Sequence, residues 1–165
     1  MNDLAQPAPF RIAAIQMVSG PDVASNLAAA GELIAEAAAQ GARLASLPEY
    51  FCLMGLKDRD KVAVREIDAL EEGAPEGGGP IQRFLSATAE KYGIWLVGGT
   101  APLACADPGK VRNACLVYDD KGRRVARYDK IHLFGYQNPN SPKERYHEAA
   151  TIEPGDTPVA VDAPF

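Results

Sequence analysis

Phe10-Arg11-Ile12-Ala13-Ala14-Ile15-Gln16-Met17 carries Phe10, Ile12 and Ala14 on one face and Ala13, Ile15 and Met17 on the other. Apolar residues on both faces predict a strand inside a sheet that is covered on both sides. From Asp22 the period changes. Val23, Leu27, Ala30, Ile34 and Ala37 recur at helical spacing, and Gly41 is placed to end that helix. Arg43 to Leu47 reads as a second short strand, stopped by Pro48. Pro80 sits where a helix would begin, and Ile81, Phe84, Leu85, Thr88 and Tyr92 form its inner face. Ile94 to Val97 is a continuous apolar strand. Arg112 to Tyr118 and Arg124 to Tyr128 flank the turn Asp119-Asp120-Lys121-Gly122. Strands alternating with helices predict an α/β layered fold.

The intervening stretches are less regular. Lys57 to Gly79 is polar and closes on Gly73, Gly77, Gly78 and Gly79, which predicts a flexible connector. A phosphate cradle is disfavoured, because the Gly-Lys-Ser/Thr ending is missing. Ala101 to Gly109 reads as a loop. Gly135 to Pro158 holds four prolines and little periodicity, and a loop that long in a compact domain tends to be functional. Val159 to Phe165 has the pattern of another strand, so residues 1–165 read as the N-terminal portion of a single domain.

Composition narrows the function classes. At 165 residues, 47% hydrophobic and 24% charged, the chain can bury a globular core. A formal charge of −5 disfavours nucleic acid or an anionic membrane as partner. The local basic run Lys121, Arg123, Arg124, Arg127 and Lys130 is diluted by Asp119, Asp120 and Asp129 and reads as a solvated hairpin face. No apolar stretch is long enough to span a bilayer. Met1 to Phe10 lacks the basic and apolar regions of a secretory signal. Cys52, Cys105 and Cys115 are odd in number and lack metal-ligand spacing, so no disulfide framework or metal site is expected, and a reducing cytoplasm fits.

Two charged positions invite a chemical reading. In Leu47-Pro48-Glu49-Tyr50-Phe51 a carboxylate follows a strand, between a proline and two aromatics. Such a site should be partly desolvated, which raises a carboxyl pKa as a general base working near neutral pH requires; the alternative is a surface glutamate at a strand end. In Tyr128-Asp129-Lys130-Ile131-His132-Leu133-Phe134 a lysine ends a strand and enters an apolar stretch. It could stabilise negative charge developing on a substrate, or merely snorkel to water.

Taken together, Leu47-Pro48-Glu49 and Tyr128 to Phe134 resemble the first two signatures of the nitrilase superfamily of carbon–nitrogen hydrolases. Arg11 to Met17, Asn26, Val97-Gly98-Gly99-Thr100 and Arg112-Asn113-Ala114 also look like that family, so the likeness runs from Phe10 to Phe165. The resemblance implies an α-β-β-α sandwich, here truncated before its later strands, and a Glu-Lys-Cys triad acting through a covalent thioester-type intermediate without metal or organic cofactor. It assigns the base to Glu49 and the cation to Lys130. A second glutamate falls to Glu148 in Tyr146-His147-Glu148, with Glu144 and Glu153 as competitors. The family's nucleophile has no match in this chain, so the 165 residues alone are expected to be inactive, and, with strands missing, unstable or self-associating. The stretch around Lys130 looks most like the branch acting on deaminated glutathione and related ω-amides; nitriles and N-carbamoyl compounds are alternatives. Homodimerisation of the complete protein is a further implication.

Rival readings use the same residues. Cys52 lies three residues beyond Glu49, beside the base and not across a substrate from it, and Cys115 reads as a small core residue. A cysteine hydrolase pairing Cys52 with His132 is one alternative, although His132 is expected to orient its loop. His147, in the long loop, reads either as a substrate contact or as a bystander. A non-catalytic binding module, with Glu49 and Lys130 as a structural ion pair, is the other.

Overall fold

The computed structural model describes residues 9–141 and 145–165. Strands β1 (Arg11–Ala14), β2 (Ala42–Ser46), β3 (Trp95–Val97), β4 (Ala101–Leu103), β5 (Arg112–Tyr118) and β6 (Arg124–Asp129) build one sheet. Its order is β1-β2-β3-β5-β4, with β6 on the other side of β5. Pairing of β1–β2 and β2–β3 is parallel, whereas β5 runs antiparallel to β3, β4 and β6. Helices α1 (Val23–Ala39) and α3 (Pro80–Tyr92) cover one face, where Ala30, Ile34, Ile81, Leu85 and Ala89 meet Ala45, Leu96, Ala114 and Leu116. A mixed α/β fold with helices layered on a sheet is therefore as expected.

Local chemistry explains the boundaries. Asp22 caps α1 by accepting from the Ser25 N–H at 2.8 Å. Gly41, at φ +83, takes the left-handed turn that releases the chain into β2. Pro80 opens α3 as expected, but its cap residue, Gly79, has no side chain to offer. The buried Glu66 carboxylate caps instead, accepting from the Ile81 N–H at 2.6 Å and the Gln82 N–H at 3.1 Å.

Several expectations are corrected. The first strand is an edge strand paired only with β2, and Ile12 is 63% exposed, so it is not covered on both sides. By side-chain alternation Leu44, Val97, Cys115, Val117 and Tyr128 share Ile12's face, opposite the helices. The Lys57–Gly79 connector is not free. It contains a short helix α2 (Asp60–Ala63), and Glu66 exchanges backbone hydrogen bonds with Pro102 and Ala104, beside β4. Its Asp68 is buried and binds Arg124 and, at 2.6 Å, Arg127. Those arginines are hence tied down, not a solvated face. Ala101 to Leu103, read as loop, is β4. Gly135 to Pro158 holds a two-stranded hairpin, β7 (Gly135–Gln137) with β8 (Arg145–His147). Val159 to Phe165 forms no strand. Phe165 packs against Phe10 at 4.6 Å and edge-on to Trp95 at 6.1 Å between ring centroids.

Candidate active site

Topology gathers the site. Strands β2, β3 and β6 point the same way, because β6 and β3 are both antiparallel to β5. Their carboxyl ends, and the amino end of β5, therefore share one edge of the sheet. Glu49 follows β2, Thr100 follows β3, Lys130 follows β6, and Asn113 is the second residue of β5. The β7–β8 hairpin returns the chain so that Glu148, first residue of a 3-10 turn, reaches the same edge. Its N–H donates to the Phe134 carbonyl at 3.0 Å, and the Phe134 N–H donates to Glu148 Oε2 at 2.7 Å.

All three sequence-assigned residues meet. Lys130 Nζ donates to Glu49 Oε1 at 3.0 Å and lies 2.9 Å from Glu148 Oε2. Asn113 Nδ2 donates to Glu49 Oε1 at 2.8 Å, and the Lys130 N–H donates to the Asn113 carbonyl at 3.0 Å, so Asn113 sets the spacing of Glu49 and Lys130. Tyr50 donates its hydroxyl to Glu148 Oε1 at 3.0 Å. Tyr50 is also held in the left-handed region, at φ 56, with its N–H donating to Thr100 Oγ1 at 2.9 Å. A strained non-glycine backbone of this kind persists only where its surroundings over-determine it. Gly99 supplies the close approach. At φ +53 it lies against the Pro48 carbonyl, in space a Cβ would occupy. The loop after Glu49 is clamped from the other side by Asn26, whose Nδ2 donates to the Cys52 carbonyl at 2.9 Å.

Partial burial alone would lower the Lys130 pKa; its hydrogen bonds to Glu148 and Glu49, with their charges, outweigh it and raise the value. Burial alone would raise Glu148, but the Phe134 N–H, Lys130 and Tyr50 hold its carboxyl below the ordinary range. Lys130 and Glu148 thus hold each other in their charged forms at neutral pH. The expected desolvation of Glu49 is not found: its side chain is 45% exposed, because it stands at the open edge of the sheet. Chemically, such a cluster offers a carboxylate that can take a proton and a cation beside it.

Glu153 is elsewhere, paired with Arg112, and Glu144 lies outside the described residues. His132 is exposed and makes no hydrogen bond among the described residues, so no orienting contact is seen there. Among the described residues no group of acidic, histidine and cysteine side chains could hold a metal ion. Cys52 is 2% exposed with its Sγ facing the Thr100 carbonyl at 3.4 Å, and burial pushes its thiol up to about 12. Burial raises Cys115 and Cys105 as well. Cys52 is expected to resist iodoacetamide in the native protein at neutral pH and to react only after denaturation, as site-mapped mass spectrometry would show. Sequence reasoning missed Tyr50, Thr100 and Asn113 as site residues. All three lay in quoted motifs, but nothing local marks Thr100 and Asn113 as partners of Tyr50 and Glu49.

Fold and site define an α/β protein with a carboxylate–lysine–carboxylate cluster at the carboxyl edge of a mixed sheet. Residues 11–164 match the carbon-nitrogen hydrolase family. The chain belongs to that family. It is 34% identical over 158 residues to omega-amidase NIT2-B of Xenopus laevis, covering 96% of this chain and 52% of that protein. With a deaminated glutathione amidase of Synechocystis it shares 34% identity over 148 residues, 89% of this chain and 50% of the other. Among solved structures, a nitrilase-superfamily amidase from Nesterenkonia superposes with a TM-score of 0.69 at 27% identity, over 95% of this chain and 53% of its own. In a variant of that amidase acrylamide is added at the active-site cysteine. The chain spans about half the length of the relatives it matches.

Proposed function

We infer that these residues supply the base and the cation of a cysteine-dependent amidase acting on ω-amides, with the nucleophile outside the 165 residues. The observation that carries this reading is the contact of Glu49, Lys130 and Glu148 at one sheet edge, made by residues 81 and 18 positions apart. The three cysteines present support a nucleophile elsewhere, since burial raises each of them. The similarity to an omega-amidase and to a deaminated glutathione amidase favours amides over nitriles and N-carbamoyl acids.

In this mechanism Glu49 takes the thiol proton as sulfur attacks the amide carbon. The carbonyl π electrons move to oxygen, and Lys130 stabilises that oxyanion. Collapse expels ammonia, which receives the proton back from Glu49, leaving a thioester. Water then attacks the thioester, giving Glu49 a proton that returns to the departing sulfur. Glu148 and Asn113 hold Lys130 and Glu49 in register throughout. The chain on this reading is one part of a single domain whose second sheet covers the face bearing Ile12 and Val117. The complete enzyme is then a dimer in a reducing cytoplasm.

A structural ion pair would show the same Glu49–Lys130 contact. The exposed Glu49 and the left-handed Tyr50 beside it favour chemistry, because strain collects at functional sites. The test is ammonia release by the complete protein from a panel of ω-amides, nitriles and N-carbamoyl acids, with residues 1–165 alone as comparison. ω-Amides are expected to turn over fastest, and the isolated 165 residues not at all. Turnover by those residues alone that is abolished by Glu49→Gln would overturn the external nucleophile.

A further inference from the structure

A cavity of about 180 Å³ opens beside the cluster, walled by Tyr50 and Glu148 on the catalytic side and by Leu53, Met54, Phe134 and Tyr146. Its cations are Lys57 and Lys61. Lys57 is exposed and is followed in sequence by Asp58, which also lines the cavity. Lys61 differs. It is half-buried on α2, and its Nζ stands 5.3 Å from the Tyr50 ring centroid. Among the described residues no carboxylate pairs with it, whereas Lys130 is paired with Glu49 and Glu148. Glu148, the remaining acid in the wall, is engaged by Lys130 and Tyr50.

We propose that Lys61 is the specificity residue for the substrate's distal carboxylate. This rests on the amidase reading above. The single Tyr50 side chain spans the two ends: its hydroxyl binds Glu148 beside Lys130, and its ring carries the Lys61 ammonium. A short ω-amide of a dicarboxylic acid lying along Tyr50 would place its amide at Lys130 and its carboxylate at Lys61. Because no carboxylate among the described residues engages Lys61, an incoming one gains a charge-assisted hydrogen bond beside the Tyr50 ring. The apolar wall from Leu53, Met54 and Phe134 would take the methylenes between. The cavity thereby discriminates by charge at one end, which is where large specificity ratios come from.

The test uses the complete protein with succinamate and with butyramide, its uncharged analogue of similar length. The ratio of kcat/KM for succinamate over butyramide is expected to fall about 10–100-fold in Lys61→Met, mainly through KM, and to be largely restored in Lys61→Arg. An unchanged ratio overturns the assignment, as does equal loss with Met and Arg. Succinate binding by calorimetry separates this from the catalytic reading. If wild type hydrolyses neither amide, the amidase reading fails, and Lys61 stands only if succinate still binds and Lys61→Met weakens that binding at least about tenfold. Unaltered succinate binding in Lys61→Met sinks the proposal in either case.

Discussion

Glu49→Gln in the complete protein is expected to lower kcat/KM for an ω-amide by about 10²–10⁴-fold, the range of positioned general-base catalysis. The substitution keeps the shape of the site. A glutamine oxygen can still accept from Asn113 Nδ2 and Lys130 Nζ, which now reach Glu49 Oε1 at 2.8 and 3.0 Å. What it cannot do is carry a proton away from a thiol and return it to the leaving ammonia. Activity should therefore collapse while the thermal transition moves by little, since a half-exposed ion pair contributes only modestly to stability. Steady-state kinetics beside a thermal melt would check this. A variant that retains activity within a few-fold would leave Glu49 as half of a structural ion pair.

Asp68→Ala is expected to cost about 3–5 kcal/mol of stability near neutral pH, the usual consequence of removing one partner from a buried ion pair. Asp68 is buried and accepts from Arg124, from Arg127 at 2.6 Å and from the Leu70 N–H at 3.0 Å. Without it, the largely buried Arg124 loses its only carboxylate among the described residues. Burial alone would raise the Asp68 pKa, but the hydrogen bonds from Arg124, Leu70 and Arg127 outweigh it and hold the carboxyl below its ordinary value. A depressed folded-state pKa contributes stability that is fully present above the unfolded value, about 3.9. That contribution is lost as pH falls through the folded value. The gap between wild type and Asp68→Ala in urea denaturation should accordingly be widest near pH 7 and narrow below about pH 4. A gap independent of pH would mean that the loss is packing, not charge.

Much of the layered core was legible along the chain because its signals are local. Asp22, Gly41 and Pro80 each mark a helix boundary through their own backbone or side-chain chemistry. The hairpin β5–β6 announced itself through Asp119 to Gly122. Errors fell where a partner far away in sequence decides the outcome. Ala101 to Leu103 looks like loop because its strand pairing comes from β5 and from Glu66. Asp68 looks like one polar residue among many in a connector, until Arg124 and Arg127 fold over it. The first strand's apolar faces were read correctly as apolar, yet its place at the sheet edge follows from pairing order, which periodicity does not encode.

The candidate site divides the same way. Glu49 and Lys130 were recognisable, each being a charge at a strand end next to apolar residues, where an isolated charge needs a reason. By itself the sequence determined the identity of these groups and the family they belong to. Only the tertiary structure decided that Glu148, and not Glu153, joins them, that Asn113 spaces them, and that Tyr50 ties them to a cavity walled by Lys61. The physical reason is that residue type and period set local conformation over a few positions. Contacts between Glu49 and a lysine 81 residues away instead require parallel strands to end at the same edge, a property of the assembled sheet alone.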